Sequence, residues 1–422
     1  MTSRTRQVLP TAGLLLGVAM GLANVMGYVF VALVSATLGP ADFGGYSALN
    51  TYGVLLAMPA GAFQVIVARR QTRTHREQQR HVTGLGSSLV VGLVLAAVTI
   101  ALAPVLRDVL RLETAWSVVW LALMLPPMTV TGALQGVLLG REAYGRLSVV
   151  YLVTAGTRLA AAGVAVGWSY DVVEVFAATL VAAVVTVGVA LVLVRRDLGT
   201  GAAAPRLLEL LADLVRSNIA LAGLMALSSL DVVLARTVLT DHDSGSYALA
   251  ALFGKVVFWG TQFVALAIVP RLAEAGTGGH VRATLHRSAL GVLLIGSVVS
   301  LGCALAPGPL VALSGGPAFV DAEPLLVWAA VTGTLWAIVQ VWLFAGMSRG
   351  DHVMTVVVWL AAGVQTVLVL LAFNDSPYEV FATVGGTAGV VAVIGLLRVP
   401  RGGMTPAPDS AETAEALGMT RE

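Results

Sequence analysis

Four ionisable side chains stand inside long apolar stretches: Arg158, Asp231, Arg236 and Lys255, the last being the only lysine of the chain. A charge at the centre of a bilayer costs at least about 2.5–3.5 kcal/mol on insertion scales, so such a group faces protein or water and becomes a candidate for function. Arg158 lies near the middle of its stretch, and Asp231 is the only acid well inside any stretch, so Arg158 has no obvious acidic partner. Asp231 lies eight residues before Leu239, and Lys255 eight residues after Tyr247. In a tight helical hairpin both sit at one depth, roughly 12 Å from the turn at 1.5 Å per residue. They can therefore pair, and such a pair serves register as readily as transport or ion coupling. Arg236 lies within a turn of its predicted span end, where a guanidinium can also snorkel to the interface.

If Arg158, Arg236 and Lys255 face one cavity, their charge exceeds that of Asp231, and the cavity suits an anion. A diphosphate matches an arginine fork well. Embedded amides form a second set: Asn24, Asn50, Gln64, Gln135, Gln262, Gln340 and Gln365. Asn24, Asn50 and Gln340 are candidates for sugar hydroxyls, although neighbouring helices ask for the same groups.

Other chemistry is missing from the sequence. There is no GxxxxGK[ST] phosphate loop and no HExxH, and the six histidines lie in or beside predicted loops. The single Cys303 sits in an apolar run, so neither a disulfide framework nor a cysteine metal site is expected. The expectation is a protein that is not an enzyme and holds no metal or cofactor.

The elements that must position these residues are membrane helices. Of the 422 residues, 57% are hydrophobic and 11% charged, and the mean hydropathy is +0.88. A soluble domain carries about a quarter charged residues. The apolar runs are unbroken and about 20 residues long, which suits spanning helices and not alternating β-barrel strands. Twelve spans are predicted, at 11–37, 46–68, 83–106, 115–139, 147–169, 174–194, 217–239, 247–269, 289–308, 326–346, 353–373 and 379–397. The first lacks a small-residue cleavage site and reads as a retained span. Pro59 and the pair Pro126–Pro127 are expected to kink spans 2 and 4.

Placing both termini in the cytoplasm puts twenty of the twenty-five basic residues inside, as the positive-inside rule asks. The run from Arg69 to Arg80 is explained by that rule, and nucleic-acid binding is not expected. The opposite loops are mostly short and acidic (Asp42, Asp171, Asp241, Asp243, Asp321, Asp375), with only Arg107 and Arg111 breaking the pattern. Trp116, Trp120, Trp168 and Trp328 fall near that outer interface, where amphipathic rings favour the headgroup level.

One stretch is written twice. LGPADFGGYSALNTYG begins at Leu38 and LTDHDSGSYALAALFG at Leu239, so Asp42, Gly44, Tyr46 and Gly53 match Asp243, Gly245, Tyr247 and Gly254 at a single offset of 201 residues. The expected organisation is a six-helix lobe at 1–194, a cytoplasmic amphipathic linker at 195–216, a second six-helix lobe at 217–399, and a disordered cytoplasmic tail at 400–422. An even number of helices per repeat makes the lobes parallel, related by a pseudo-twofold along the membrane normal around a central cavity.

Three stretches carry a resemblance to a known family: LGPADFGGYSALN with its following span, GALQGVLLGREAYGR, and SSLDVVLARTVLTDHDSGSYALAALFGKVVF. They resemble the polysaccharide-transporter branch of the multidrug/oligosaccharidyl-lipid/polysaccharide flippase superfamily. The resemblance implies an all-α, MATE-like, V-shaped fold in the bacterial cytoplasmic membrane. It implies export of an undecaprenyl-diphosphate-linked oligosaccharide for cell-surface polysaccharide biosynthesis, with membrane lipids around it and a polymerase or glycosyltransferase as possible partners. The head group would cross through the cavity while the lipid tail stays in the bilayer. The alternative in the same superfamily is a cation-coupled drug antiporter, in which Asp231 would be the coupling site. Those exporters usually carry a coupling acid in the first lobe, and spans 1–6 here hold none deeper than Glu174. A non-transporting scaffold of a polymer-assembly complex is a third expectation.

Overall fold

The computed structural model describes residues 4–76, 84–168, 171–195, 207–261, 278–348 and 351–398. The predicted tail, linker residues 196–206, Gln262 and the end of the basic run at 77–83 lie outside the described residues. Every regular element described is a helix. The first lobe comprises α1 (Arg4–Leu56), α2 (Met58–Arg76), α3 (Leu85–Ala101), α4 (Ala103–Val109), α5 (Trp116–Gly140), α6 (Tyr144–Trp168) and α7 (Val172–Val194). The second comprises α8 (Leu207–Val238), α9 (Asp241–Gly260), α10 (Gly278–Leu305), the short α11 (Pro307–Ser314), a 3₁₀ segment (Pro317–Leu325), α12 (Leu326–Ser348), α13 (Val353–Leu371) and α14 (Pro377–Leu397).

Among the described residues, nine helices are long and apolar enough to cross a membrane, or ten if α3 and α4, bent by 59°, form one broken span. The first of these, Leu14–Ala68, has 55 residues. At 1.5 Å per residue it would reach roughly 80 Å, more than twice a hydrocarbon core of about 30 Å, so it must fold back. The break is Gly39, with φ 70° and ψ 174°, a conformation that a side chain would strain. It lies between the first two predicted spans. The sequence-derived twelve follow when this helix counts as two and α9, whose first turns are polar, is added. The helix is interrupted again at Ala57, just before Pro59. In α5 the pair Pro126–Pro127 leaves the helix continuous, and the Thr129 and Thr131 hydroxyls donate to carbonyls of that segment.

Small residues set how closely the helices approach. Gly132, Gly136 and Gly140 recur every fourth residue on α5 and face the backbone of Ala60, Gln64 and Ala68 on α2. A β-carbon at Gly136 would come within 2.6 Å of the Gln64 carbonyl oxygen. Without a hydrophobic force between helices in lipid, this close backbone contact supplies the packing.

One buried cluster joins the lobes at the end carrying the acidic loops. It runs from Phe30, Phe43, Tyr46 and Phe176 in the first lobe to Leu227, Tyr247, Phe319 and Phe381 in the second. Phe43 meets Phe319 edge-on across the joint, with ring centroids 5.6 Å apart. Toward the basic loops the first lobe has a separate core of its own, built on Phe63, Val67, Leu134, Val137, Leu147 and Ala190. The lobes therefore share a core at the acidic-loop end, while the basic-loop end of the first lobe packs on its own.

Candidate functional site

The first lobe holds a cavity of about 240 Å³ between its own helices. Its walls come from the second span, α5, α6 and α7, and its polar groups are Asn50, Thr131, Gln135, Thr154, Arg158, Thr179 and Thr186. None of the residues lining it is acidic. The Arg158 guanidinium carbon lies 4.8 Å from the centre of the Phe30 ring, and Tyr46 stands beside it. Tyr46 in turn packs on Phe176 at 5.3 Å. The Arg158 Nε is buried and has no hydrogen-bond partner among the described residues. A cation with a spare donor beside an acid-free cavity attracts an anion.

The second lobe repeats this aromatic arrangement with opposite charge. Tyr247, the repeat partner of Tyr46, stacks on Phe381 at 4.1 Å, as Tyr46 packs on Phe176. Both phenylalanines stand in an EVFA sequence, after Glu174 and after Glu379, and both glutamates serve the first turn of their helix. At the same 201-residue offset, Phe30 corresponds to Asp231. In the first lobe that position carries the ring under Arg158. In the second it carries a fully buried carboxylate, whose Oδ2 accepts from the Tyr247 hydroxyl at 3.0 Å while Oδ1 has no partner among the described residues. Lys255 acts on Asp231 electrostatically, but the direct hydrogen-bond partner of the carboxylate is Tyr247.

The remaining predicted residues fall in three places. Arg236 is 4% exposed in the joint between the lobes and away from the cavity lining, where it donates to the carbonyls of Leu110, Ala41 and Arg111 and to the Ser244 hydroxyl. Asn50 lines the cavity, as does Gln135. Asn24 is exposed on the surface of α1, and Gln340 is buried in α12 with its Oε1 unpartnered among the described residues. Gln64 and Gln365 bond to other helices, through Tyr151 at 2.9 Å and Thr387 at 3.2 Å. Sequence reasoning alone misses Phe30 and Tyr46 as the seat of Arg158. The repeat offset that links them to Asp231 and Tyr247 is the signal that points to them.

The family described as polysaccharide biosynthesis protein matches residues 12–276, well over half of the chain. No curated protein sequence matches. Among solved structures, the inward-facing conformation of a multidrug resistance MATE family transporter of the MOP superfamily is similar over 95% of this chain and 96% of its own, with TM-score 0.72 and 13% identity. The lipid II flippase MurJ, in an inward closed conformation, is similar over 91% of this chain and 87% of its own, with TM-score 0.70 and 9% identity. A MOP superfamily transporter from Pyrococcus furiosus covers 97% of this chain and 96% of its own, with TM-score 0.58 and 15% identity. At such identities the likeness establishes the fold. The chain is a multi-pass membrane protein of the polysaccharide biosynthesis family, with the MATE-like fold of the MOP superfamily.

Proposed function

We propose that this protein is a flippase for an undecaprenyl-diphosphate-linked oligosaccharide in the bacterial cytoplasmic membrane, working by alternating access. The observation that carries the reading is Arg158, a cation with an unpartnered buried donor beside an acid-free polar cavity. The diphosphate binds at Arg158, and the threonines with Asn50 and Gln135 receive the first sugars. The lipid tail remains in the bilayer. On this reading the joint at the acidic-loop end faces outward and both termini lie in the cytoplasm. Lipid extracts of a deletion strain, analysed by mass spectrometry, test this. One undecaprenyl-diphosphate-linked sugar should accumulate and be cleared when the gene is restored. A normal lipid profile with new sensitivity to cationic drugs would transfer the reading to the antiporter.

One observation favours that second reading: Asp231 is fully buried, with an Oδ1 that has no partner among the described residues, as a proton- or ion-coupling carboxylate would be. Asp231→Asn should then abolish proton or sodium dependence of export. Unchanged ion dependence leaves Asp231 as a structural partner of Tyr247.

A further inference from the structure

Two arginines from opposite lobes exchange hydrogen bonds across the joint. Arg111, in the turn after α4, has a left-handed backbone with φ 47°. Its Nη2 donates to the carbonyl oxygens of Arg236 and Leu239 in the second lobe. Arg236 returns the contact, donating from Nη2 to the Arg111 carbonyl at 3.1 Å and from Nε to the Leu110 carbonyl at 2.9 Å. Its Nη1 reaches the Ala41 carbonyl at 3.0 Å. The Asp241 carboxylate lies between the two cations, 3.0 Å from Arg111 and 3.2 Å from Arg236.

We propose that Arg111 and Arg236 form a reciprocal clasp that latches the acidic-loop end shut and is undone when the lobes part there. Both carbonyls that Arg111 donates to belong to the second lobe, and Leu110, Ala41 and Arg111 belong to the first. Separation at this end must break both sets together, which makes the contact two-state. The parted arginines have new partners waiting. Asp42, Glu113 and Asp171, all of the first lobe, line the small cavity that Arg111 and Arg236 also line. On opening, Arg111 turns to these carboxylates, while Arg236 keeps Asp241 and Ser244 on its own lobe. Each lobe then neutralises its own arginine. Exchange of one set of charged contacts for another is how a bistable interface holds two states at similar energy. The backbone permits the closed state through glycine: a β-carbon at Gly44 would lie 2.9 Å from the Gly245 nitrogen and 3.2 Å from Arg236 Nη1.

Distance measurement between spin labels on the full chain tests the clasp without any cargo, so its failure is separate from failure of the flippase reading. Labels are attached through Asp108→Cys in the first lobe and Asp375→Cys in the second, in a Cys303→Ala background. The parent in nanodiscs should give mainly one short distance. Arg111→Ala should raise a longer-distance population severalfold, Arg111→Lys should raise it less, and Asp42→Asn with Asp171→Asn should lower it. Arg111 is 38% exposed by side chain, so its variants are expected to fold. Should they fail to, Asp241→Asn must give the same widening. A distance distribution in the folded variant that matches the parent overturns the clasp.

Discussion

At the residue scale, one fold sets a cation beside the repeated tyrosine of one lobe and an anion beside that of the other. Tyr46 stands beside Arg158, and Tyr247 donates to Asp231. A phenol can donate or accept, so the repeated tyrosine accommodates either charge. The substitution Tyr247→Phe would remove the hydrogen bond that Oδ2 of the buried Asp231 accepts. The expected loss is about 1–3 kcal/mol, read as a lower unfolding temperature in detergent, and adding Asp231→Asn to the Tyr247→Phe variant should recover part of it. No loss in Tyr247→Phe would show that Asp231 takes its support from elsewhere. The four embedded charges were legible in the sequence because each interrupts an apolar run. Their neighbours were not. Arg236 draws on Leu110 and Ala41, far away in the chain, so only the folded joint shows that it fastens two lobes and lies away from the cavity.

At the element scale, helix contacts are governed by where side chains are missing. The α5 stripe of Gly132, Gly136 and Gly140 lets α2 approach backbone to backbone. Gly136→Leu should cost about 1–3 kcal/mol or more through overpacking. Gly163, on α6, has open space where its β-carbon would stand. Gly163→Ala should therefore be neutral or stabilising by about 0.5–1 kcal/mol. Thermal unfolding of the two variants in one detergent checks both, and equal melting temperatures would remove the role assigned to the stripe. Spans and turns were readable from hydropathy and from the repeated acidic turn. Helix ends were less so: α8 begins at Leu207, so part of the predicted linker continues directly into the seventh span. An apolar amphipathic face and a spanning helix share one period, and sequence alone does not separate them.

At the scale of the whole molecule, the core that joins the lobes lies at the acidic-loop end, and the basic-loop end of the first lobe has its own core. On the proposed orientation the first-lobe cavity is reached from the cytoplasm. A cysteine replacing Gln135, which lines it, should be labelled by a charged maleimide in inside-out vesicles and spared in right-side-out cells. The only native cysteine, Cys303, is buried and should stay silent. Labelling from the outside alone would invert the orientation. Parallel lobes were legible from the even-helix repeat. Which end they closed at was not, because the joint depends on contacts such as Phe43 with Phe319 and Gly44 with Gly245 that no local pattern announces.

The most direct test of the central claim is complementation of the deletion strain by Arg158→Gln, with undecaprenyl-diphosphate-linked sugars measured in its lipids. Glutamine keeps hydrogen-bonding capacity and removes the charge. If Arg158 receives the diphosphate, the wild-type gene clears the accumulated precursor, whereas Arg158→Gln, present in the membrane at equal amount, leaves it at least about tenfold higher, equivalent to losing about 1.4 kcal/mol or more of cargo interaction. Clearance by Arg158→Gln to the wild-type level would contradict the account.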